Sequence, residues 1–259
     1  MRQSIHIGTE PIGVLSPGRN VIGNLMGGAA TPLTILGSSA EGGALLQWVR
    51  ADAANIAESS LRVSQWNDIS GNAKHYTQGT GANKPLYSAS GGPNDQPYVS
   101  LDSAVRQMNS ALNLPQPSTL PSTVWIIGRQ NTWVANGNIV ASVTDDARLL
   151  LRQRTATPNV RQFEGVDGNQ NANGTLASWF RWESLYANDA SAYLTVGATT
   201  GSGTAVSSAA ASTGRALGGR GASAIFDYCE LLYVNRGLTA TEKTALDAYV
   251  AARYGTGLV

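Results

Sequence analysis

Carboxylate pairs are the residues of this chain that could do chemistry on a glycosidic bond. Two carboxylates on one face of a strand can act as nucleophile and general acid, and a spacing of two residues places them there. Asp227 and Glu230 are three residues apart, as are Glu164 and Asp167, so a regular strand would put each pair on opposite faces. The adjacent pair Asp145–Asp146 lies in a predicted turn, where a solvated state is expected. We therefore predict no catalytic residue; carboxylates assembled from separate strands are the alternative.

Histidine, cysteine and serine motifs give no better candidate. His6 and His75 are remote from each other and lack the Cys/His spacing of a zinc site, so we expect surface or turn histidines. No Gly-x-Ser-x-Gly elbow or Walker loop occurs. Cys229 is the only cysteine, which excludes an intrachain disulfide. Its apolar neighbours predict a small buried side chain.

Composition favours many short strands and excludes several partners. Of the 259 residues 14% are charged, well below the roughly 25% of typical soluble domains, and Gly, Ser, Thr, Ala and Asn take their place. The net charge is +1 without any Lys/Arg run, so we expect neither nucleic-acid nor membrane binding. The N-terminus has no signal-peptide pattern, which predicts synthesis in a host cytoplasm without export.

The chain divides into an arm and one domain. Residues 1–44 carry glycines at five-residue spacing and three prolines, a pattern of neither helix nor strand. Their apolar residues favour an extended arm that makes an assembly contact, with a floppy leader as the alternative. Residues 45–259 alternate short apolar runs with turns, and residues 123–128 predict a buried central strand. Thr239 and Glu242 have the spacing of a capping box and predict one C-terminal helix.

Several motifs in this second part resemble laminin-G-like jellyroll modules of the concanavalin A-like superfamily. Trp48-Val49-Arg50-Ala51-Asp52 resembles their opening motif, and residues 63–72 are similar to their V-x-x-W-x-D-x-S-G-N motif. Residues 230–239, Glu-Leu-Leu-Tyr-Val-Asn-Arg-Gly-Leu-Thr, resemble their closing motif. Ser103 stands where a glycine is usual, so we expect that turn to be altered. The resemblance covers residues 45–259 and implies a two-sheet antiparallel sandwich, with a short helix at its end.

The matching residues predict structure more than chemistry. Trp66 should pack between the sheets, and Asp68 and Asn72 should bond backbone N–H groups around Gly71. Glu230, inside a strand, should be tied to polar neighbours because an unpaired buried carboxylate is costly. The residues predicted to specify the fold are Trp48, Trp66, Asp68, Gly71, Asn72, Glu230 and Glu242. Glucanases of the superfamily carry a Glu-x-Asp-x-x-Glu strand motif, which this chain lacks.

Relatives by this resemblance also bind calcium or sugars. Calcium would need loop-rim oxygens, for which the candidates are Asp145, Asp146, Asp167, Asn169 and Asn171; they form no recognisable loop, so no cofactor is predicted. The aromatic residues that the motifs do not explain are possible glycan contacts: Trp133, Trp179, Trp182 and Tyr186. Trp179 and Trp182 are three apart, so at most one can face outward from a regular strand.

Two functions fit these observations. The first is a non-enzymatic structural protein of a bacteriophage virion: a capsid decoration, head-fibre or tail-associated subunit, homo-oligomeric and bound to other virion proteins by its arm. The resemblance to phage particle proteins and the missing export signal favour it. The alternative is a carbohydrate-binding, lectin-like module or phage adhesin that recognises host glycans.

Overall fold

The described part of the chain is mostly β. The computed structural model describes residues 30–114, 121–143, 150–154, 159–163, 167–187, 191–202, 213–219 and 222–258. Within these ranges 17 strands pair antiparallel and two α-helices occur. No helix of these ranges is long and apolar enough to cross a membrane. The predicted all-β fold with a C-terminal helix is confirmed.

The elements follow one another in short steps. The helices are α1 (Pro32–Leu36) and α2 (Ala240–Tyr254). The strands are β1 (Leu45–Arg50), β2 (Ile56–Ser59), β3 (Arg62–Trp66), β4 (Tyr76–Thr77), β5 (Leu86–Ser88), β6 (Tyr98–Leu101), β7 (Gln107–Ser110), β8 (Ser122–Thr132), β9 (Asn138–Ser142), β10 (Leu150–Gln153), β11 (Asn159–Phe163), β12 (Asp167–Asn173), β13 (Trp179–Tyr186), β14 (Tyr193–Val196), β15 (Thr199–Ser202), β16 (Arg215–Gly218) and β17 (Ile225–Val234).

The strands form two facing layers of one hydrogen-bonded network. The front layer runs β15-β14-β13-β8-β17, and both β1 and β6 pair with β17. The back layer runs β2-β3-β4-β7-β16-β9-β10-β11-β12. Strand β5 pairs with β3 and with β6 and so joins the layers. The two predicted sheets are therefore continuous through β5.

The main core lies between the layers. Strand β8 supplies Val124 and Ile126 to it, and the alternate residues Trp125 and Ile127 face the opposite side under α2. The strand predicted at residues 123–128 is therefore central and buried on both faces. Trp66 of β3 is fully buried in the main core, as its motif predicts.

The loop after β3 covers the free edge of β1. Asp68 Oδ1 accepts hydrogen bonds from the backbone N–H of Trp48 at 3.0 Å and of Ser70 at 2.9 Å, and Oδ2 accepts from Lys74 N–H at 2.8 Å. Ile69 N–H donates to the Trp48 carbonyl at 2.8 Å. An exposed edge strand is a template for aggregation, and this loop gives β1 a partner on its outer side.

Asn72 extends the same cover. Its side-chain amide donates to the carbonyls of Leu45 at 2.9 Å and Leu46 at 3.0 Å, and its Oδ1 accepts from Ala40 N–H at 3.0 Å. Gly71 has φ of +89°, a left-handed conformation that favours glycine. The predicted roles of Asp68 and Gly71 are confirmed, whereas Asn72 bonds the backbone of Ala40, Leu45 and Leu46 and not the turn around Gly71.

Residues 31–44 belong to the folded domain, although the sequence analysis places them in the arm. Thr31 caps α1, and Leu36 is 5% exposed in a second apolar cluster beneath α2. A Cβ at Gly43 would lie 2.3 Å from the Gly37 backbone, so the returning chain packs too closely for any side chain there. This segment contacts α2, β1 and Asn72, which only the folded chain brings near. The rest of the predicted arm, residues 1–29, lies outside the described residues.

Helix α2 begins at the predicted capping box. Thr239 Oγ1 accepts from Glu242 N–H at 3.2 Å, and Glu242 Oε2 accepts from Thr239 N–H at 2.8 Å. Arg236 donates to both carboxylate oxygens of Glu242, at 2.7 and 2.5 Å. Hydrogen bonds from Arg236 and then from Thr239 lower the pKa of Glu242 from 4.5 to about 2.

Truncating Trp66 tests the main core. Trp66→Ala should lower the free energy of unfolding by about 3–5 kcal/mol, since it leaves a large cavity. Trp66→Phe should cost about 1–2 kcal/mol, because the indole Nε1 has no hydrogen-bond partner in the described part of the chain. Urea unfolding measures both, and an unchanged midpoint for Trp66→Ala would contradict the placement.

The capping box predicts an acid-labile contribution to stability. Because the folded pKa of Glu242 is lowered, its contribution is present above about pH 4.5 and is lost as the pH falls through about 2. Glu242→Gln should cost about 1 kcal/mol at pH 7 and nothing near pH 2. The control is Glu41→Gln, at an exposed glutamate; a Glu242→Gln cost that is constant with pH would contradict the prediction.

Candidate functional site

The outer face of the front layer is the surface whose side chains could do chemistry, and α2 covers one part of it. The helix buries Leu246, Tyr249, Val250 and Tyr254. Beneath them, in the second cluster, lie Trp125, Ile127 and Leu232. Ion pairs join α2 to β13: Arg181 with Asp247, and Lys243 with Glu183 at 2.8 Å.

A buried carboxylate fixes the helix to the sheet. Glu230 of β17 is 0% exposed. It accepts hydrogen bonds from Trp48 Nε1 at 2.5 Å, from the Tyr254 hydroxyl at 2.6 Å, and from the Tyr249 hydroxyl at 3.0 Å to each oxygen. The predicted tie of Glu230 to polar neighbours is confirmed. With no exposed surface and its oxygens already bonded, Glu230 holds β1, β17 and α2 together and has no access to a substrate.

Burial sets the protonation of this cluster. Desolvation raises the pKa of Glu230 above its usual 4.5, while the hydrogen bonds from Tyr254 and Trp48 oppose the rise. Burial, followed by the nearby Glu230 charge, raises the pKa of Tyr249 and of Tyr254. Both hydroxyls therefore stay protonated and act as donors to the carboxylate.

A β-bulge corrects the expectation that Asp227 and Glu230 face opposite sides. In the pairing of β17 with β8, Tyr228 lies opposite Gly128 but Glu230 lies opposite Ile127, so Cys229 is the extra residue. Two residues of a bulge oppose one on the partner strand, and the alternation restarts one residue later. Asp227 consequently shares the outer face with Glu230, but Arg129 already binds it.

Next to the helix, four strands place one side chain each in a row. The pairings are Ser100 with Asp227, Asp227 with Arg129, and Arg129 with Trp179. Residues directly opposite across antiparallel strands share a face. We call Ser100, Asp227, Arg129 and Trp179 the transverse row; it crosses β6, β17, β8 and β13.

The row is held in a defined arrangement. Arg129 donates from Nη2 at 2.6 Å and from Nε at 3.1 Å to Oδ2 of Asp227, which is 1% exposed. The guanidinium carbon lies 4.5 Å from the ring centroid of Trp179 and 5.7 Å from that of Tyr98. The two rings meet edge-to-face with centroids 5.6 Å apart. The buried carboxylate thus positions a cation that lies over Trp179 and beside Tyr98, two half-buried rings that also contact each other.

The structure separates the four predicted glycan contacts. Trp182 is 0% and Tyr186 2% exposed, both in the main core, so neither can contact a glycan; they face inward because β13 alternates. Trp133 packs partly buried against the main core with its Nε1 buried. Trp179 lies on the outer face, which confirms that Trp179 and Trp182 face opposite sides.

Sequence reasoning missed Tyr98 and Arg129. Tyr98 lies within a matched family motif, and Arg129 is a single arginine after an apolar run. Only the register of β8 against β13 and β17 brings them beside Trp179. No periodicity within one strand carries that information.

The other polar candidates are not part of the transverse row. Asp145, Asp146, Glu164 and His6 lie outside the described residues, and Asp167, Asn169 and Asn171 occupy alternate positions of β12. In the described ranges no three His, Cys, Asp or Glu side chains cluster as metal ligands would. His75 accepts from Asp68 N–H at 3.0 Å through Nδ1, the turn role predicted for it. Cys229 is 1% exposed, as predicted.

Solved structures show the same fold. A sialidase from Trypanosoma rangeli matches with a TM-score of 0.55 and 13% sequence identity over 82% of this chain and 33% of the sialidase. A GH54 α-L-arabinofuranosidase matches with a TM-score of 0.53 and 16% identity over 82% of this chain and 60% of that chain. This chain therefore spans about a third of the sialidase length and less than two thirds of the arabinofuranosidase.

The likeness shows the fold alone, which is the concanavalin A-like β-sandwich. The chain matches no protein-family model and none of the curated proteins.

Replacing Glu230 tests the attachment of α2. Glu230→Leu leaves the three donors without an acceptor and should lower the free energy of unfolding by about 3–5 kcal/mol. Glu230→Gln keeps one acceptor oxygen and should cost less. Chemical denaturation of both variants measures the difference, and a Glu230→Leu protein as stable as the parent would contradict the role.

The comparison of the parent protein with Glu230→Gln also predicts how stability depends on pH. Because the folded pKa of Glu230 is raised, its contribution is full below about pH 4.5 and falls as the pH rises through the folded pKa. The advantage of the parent protein over Glu230→Gln should therefore shrink as the pH rises above about 4.5. An advantage that grows over this range would contradict the sign.

Proposed function

We propose that this chain is a non-enzymatic structural protein of a bacteriophage particle. In this proposal its sandwich is a laminin-G-like jellyroll, and it is a capsid decoration, head-fibre or tail-associated subunit. It binds other virion proteins through residues 1–29 and one face of the sandwich. The observation that carries the proposal is that residues 31–44, which follow that segment in the chain, are fixed to the sandwich.

Residues 31–44 are held against the sandwich by hydrogen bonds and apolar contacts. Ser38, Ser39 and Ala40 lie within hydrogen-bond distance of Asn72 Oδ1, at 3.4, 3.1 and 3.0 Å. Leu36 is buried in the cluster beneath α2. In this proposal, a partner that binds residues 1–29 is joined to the sandwich through this fixed segment. A segment of 29 residues spans at most about 100 Å when extended, enough to reach a neighbouring subunit.

The outer-face carboxylates support a role without catalysis. Glu230 holds α2, Asp227 binds Arg129, and Glu183 pairs with Lys243. Asp52 pairs with both Arg50 and Arg253. Each of these four carboxylates has a structural partner.

The presence of many copies of the protein on one particle would strengthen the proposed attachment. A particle presents many identical sites, so a homo-oligomeric subunit with a modest contact per copy attains firm attachment by multivalency. The low share of charged residues is compatible with close packing of such copies.

Two truncations test the attachment. Deleting residues 1–29 should leave the thermal midpoint within a few degrees of the parent and abolish incorporation into particles. Deleting residues 1–40 removes α1 and the partners of Asn72 Oδ1 and should lower stability by about 2–5 kcal/mol, as expected for loss of a buried leucine with its supporting contacts. Thermal unfolding measures stability, and mass spectrometry with electron microscopy of purified particles measures incorporation.

Three outcomes would contradict different parts of the proposal. A destabilised or aggregated Δ1–29 chain would show that these residues belong to the domain. A stable Δ1–29 chain that still enters particles would refute the arm as the anchor, and absence of the full-length protein from every particle fraction would refute the virion assignment.

A further inference from the structure

Two turns at one corner of the sandwich carry the large apolar side chains that the described residues leave mostly in solvent. Leu61 is 54% and Val105 is 61% exposed. Leu61 lies in the turn between β2 and β3, and Val105 lies in the turn after β6, where the Arg106 N–H donates to the Ser103 carbonyl at 3.1 Å. A single apolar side chain on a surface needs no explanation, whereas a group of them marks an interaction site.

An ion-pair network joins the two turns. Arg62 donates from Nη1 to Asp102 Oδ2 at 3.2 Å, and Arg106 donates from Nε to Asp102 Oδ1 at 2.8 Å. Strand β5 lies beside both turns, because Leu86 pairs with Arg62 of β3 and with Ser100 of β6. The turns are therefore held in place on the side of the sandwich where β5 joins the layers. We call Leu61, Arg62, Asp102, Val105 and Arg106 the corner patch.

The backbone of the first turn is unfavourable for the residues that it carries. Ser59 pairs with Arg62, which leaves a two-residue loop, and φ is +52° at Ser60 and +63° at Leu61. A loop with positive φ at both positions favours Asn-Gly, and a bulky side chain there is strained. Glu58 accepts a hydrogen bond from the Leu61 N–H at 2.6 Å, which supports the backbone but does not use the leucine side chain. Folding thus gives no reason for a leucine at this tip, and strain of this kind points to a function.

We propose that the corner patch is the surface through which two copies of this chain associate about a two-fold axis. The inference rests on the homo-oligomeric state in the proposed function and assigns a surface to it. In a two-fold interface the same patch lies on both subunits, so the patch must be complementary to itself.

The charges of the corner favour a second copy over a different partner. Arg62 and Arg106 are cations, and Asp102 and the neighbouring Glu58 are carboxylates, so positive and negative groups are equal in number. A copy rotated by 180° brings cations toward carboxylates while the apolar tips meet. A strongly acidic or basic partner would find no unbalanced charge to bind.

The size of the patch limits its affinity. Stable interfaces bury about 1,200–2,000 Å² in total, and two turns form only the centre of such an area. We therefore expect a weak, reversible dimer with a dissociation constant between about 1 μM and 1 mM. On a particle, neighbouring attachment sites would keep copies close together, and a weak contact would then suffice.

The test measures self-association of the purified full chain. Sedimentation equilibrium between about 10 μM and 1 mM should show a monomer that becomes a dimer and nothing larger. The thermal midpoint should rise with protein concentration, because association stabilises the folded state by mass action. Leu61→Gly removes the apolar tip and suits the positive φ. It should weaken association about tenfold or more, the equivalent of about 1.4 kcal/mol, without lowering the midpoint of the monomer.

Two further variants separate the interface from the strain. Ser60→Gly is the matched control, the same replacement at the adjacent residue with positive φ. It keeps Leu61 and should associate like the parent. Val105→Ser leaves the first turn unchanged and should weaken association about tenfold. Circular dichroism verifies that each variant is folded under the conditions of the association measurement.

Three results would overturn the inference. They are a parent chain that stays monomeric at the highest concentration, association that folded Leu61→Gly and Val105→Ser both retain in full, and assemblies that grow beyond a dimer. All are measured on the purified chain, so they are distinct from a failure of the virion assignment, which is decided by the protein content of particles.

Discussion

The carboxylate of Glu230 is the group on which the packing of the front layer depends. A carboxylate that is fully removed from water is costly unless strong donors surround it. The donors come from β1 through Trp48 and from α2 through Tyr249 and Tyr254. None of these elements can move away without leaving Glu230 uncompensated. The helix is therefore held by a polar requirement as well as by its apolar face, and this fixes where it lies on the sheet.

One extra residue, Cys229 in the β-bulge of β17, divides the outer face into the region beneath α2 and the transverse row. Without the bulge at Cys229, Asp227 and Glu230 would lie on opposite sides of β17, as their spacing suggests. With it, Glu230 enters the covered region beneath α2 and Asp227 enters the transverse row. The same irregularity thus serves the attachment of the helix and the placement of Arg129. A regular strand could provide either carboxylate on this face, but not both.

The sequence allows the residues with local or motif-level roles to be predicted. Thr239 and Glu242 show their capping box by spacing alone, and Asp68 and Gly71 follow from turn chemistry. The arm boundary in the structure differs from the predicted boundary, because Leu36 is buried by elements far along the chain. The transverse row was not predicted at all, since the register between β8, β13 and β17 depends on the whole sandwich. Local periodicity also placed Asp227 and Glu230 on opposite faces of the strand, which is wrong because a bulge leaves no trace in the pattern of apolar residues.

The residues that specify this fold and those that could recognise a ligand form separate sets. Asp68 and Asn72 satisfy backbone groups, Glu230 fixes the helix and Trp66 fills the core, so these four act inside the fold. On the outer face, Arg129 keeps one nitrogen, Nη1, without a hydrogen bond within the described residues. A homologous sandwich could keep the first set and change the second, provided that Arg129 and Asp227 change together. Similarity in the fold motifs therefore carries no information about the ligand. The fold shared with two glycoside hydrolases is compatible with a chain in which Glu230, Asp227 and Glu183, on the outer face of the described sheet, are each bound to neighbouring side chains.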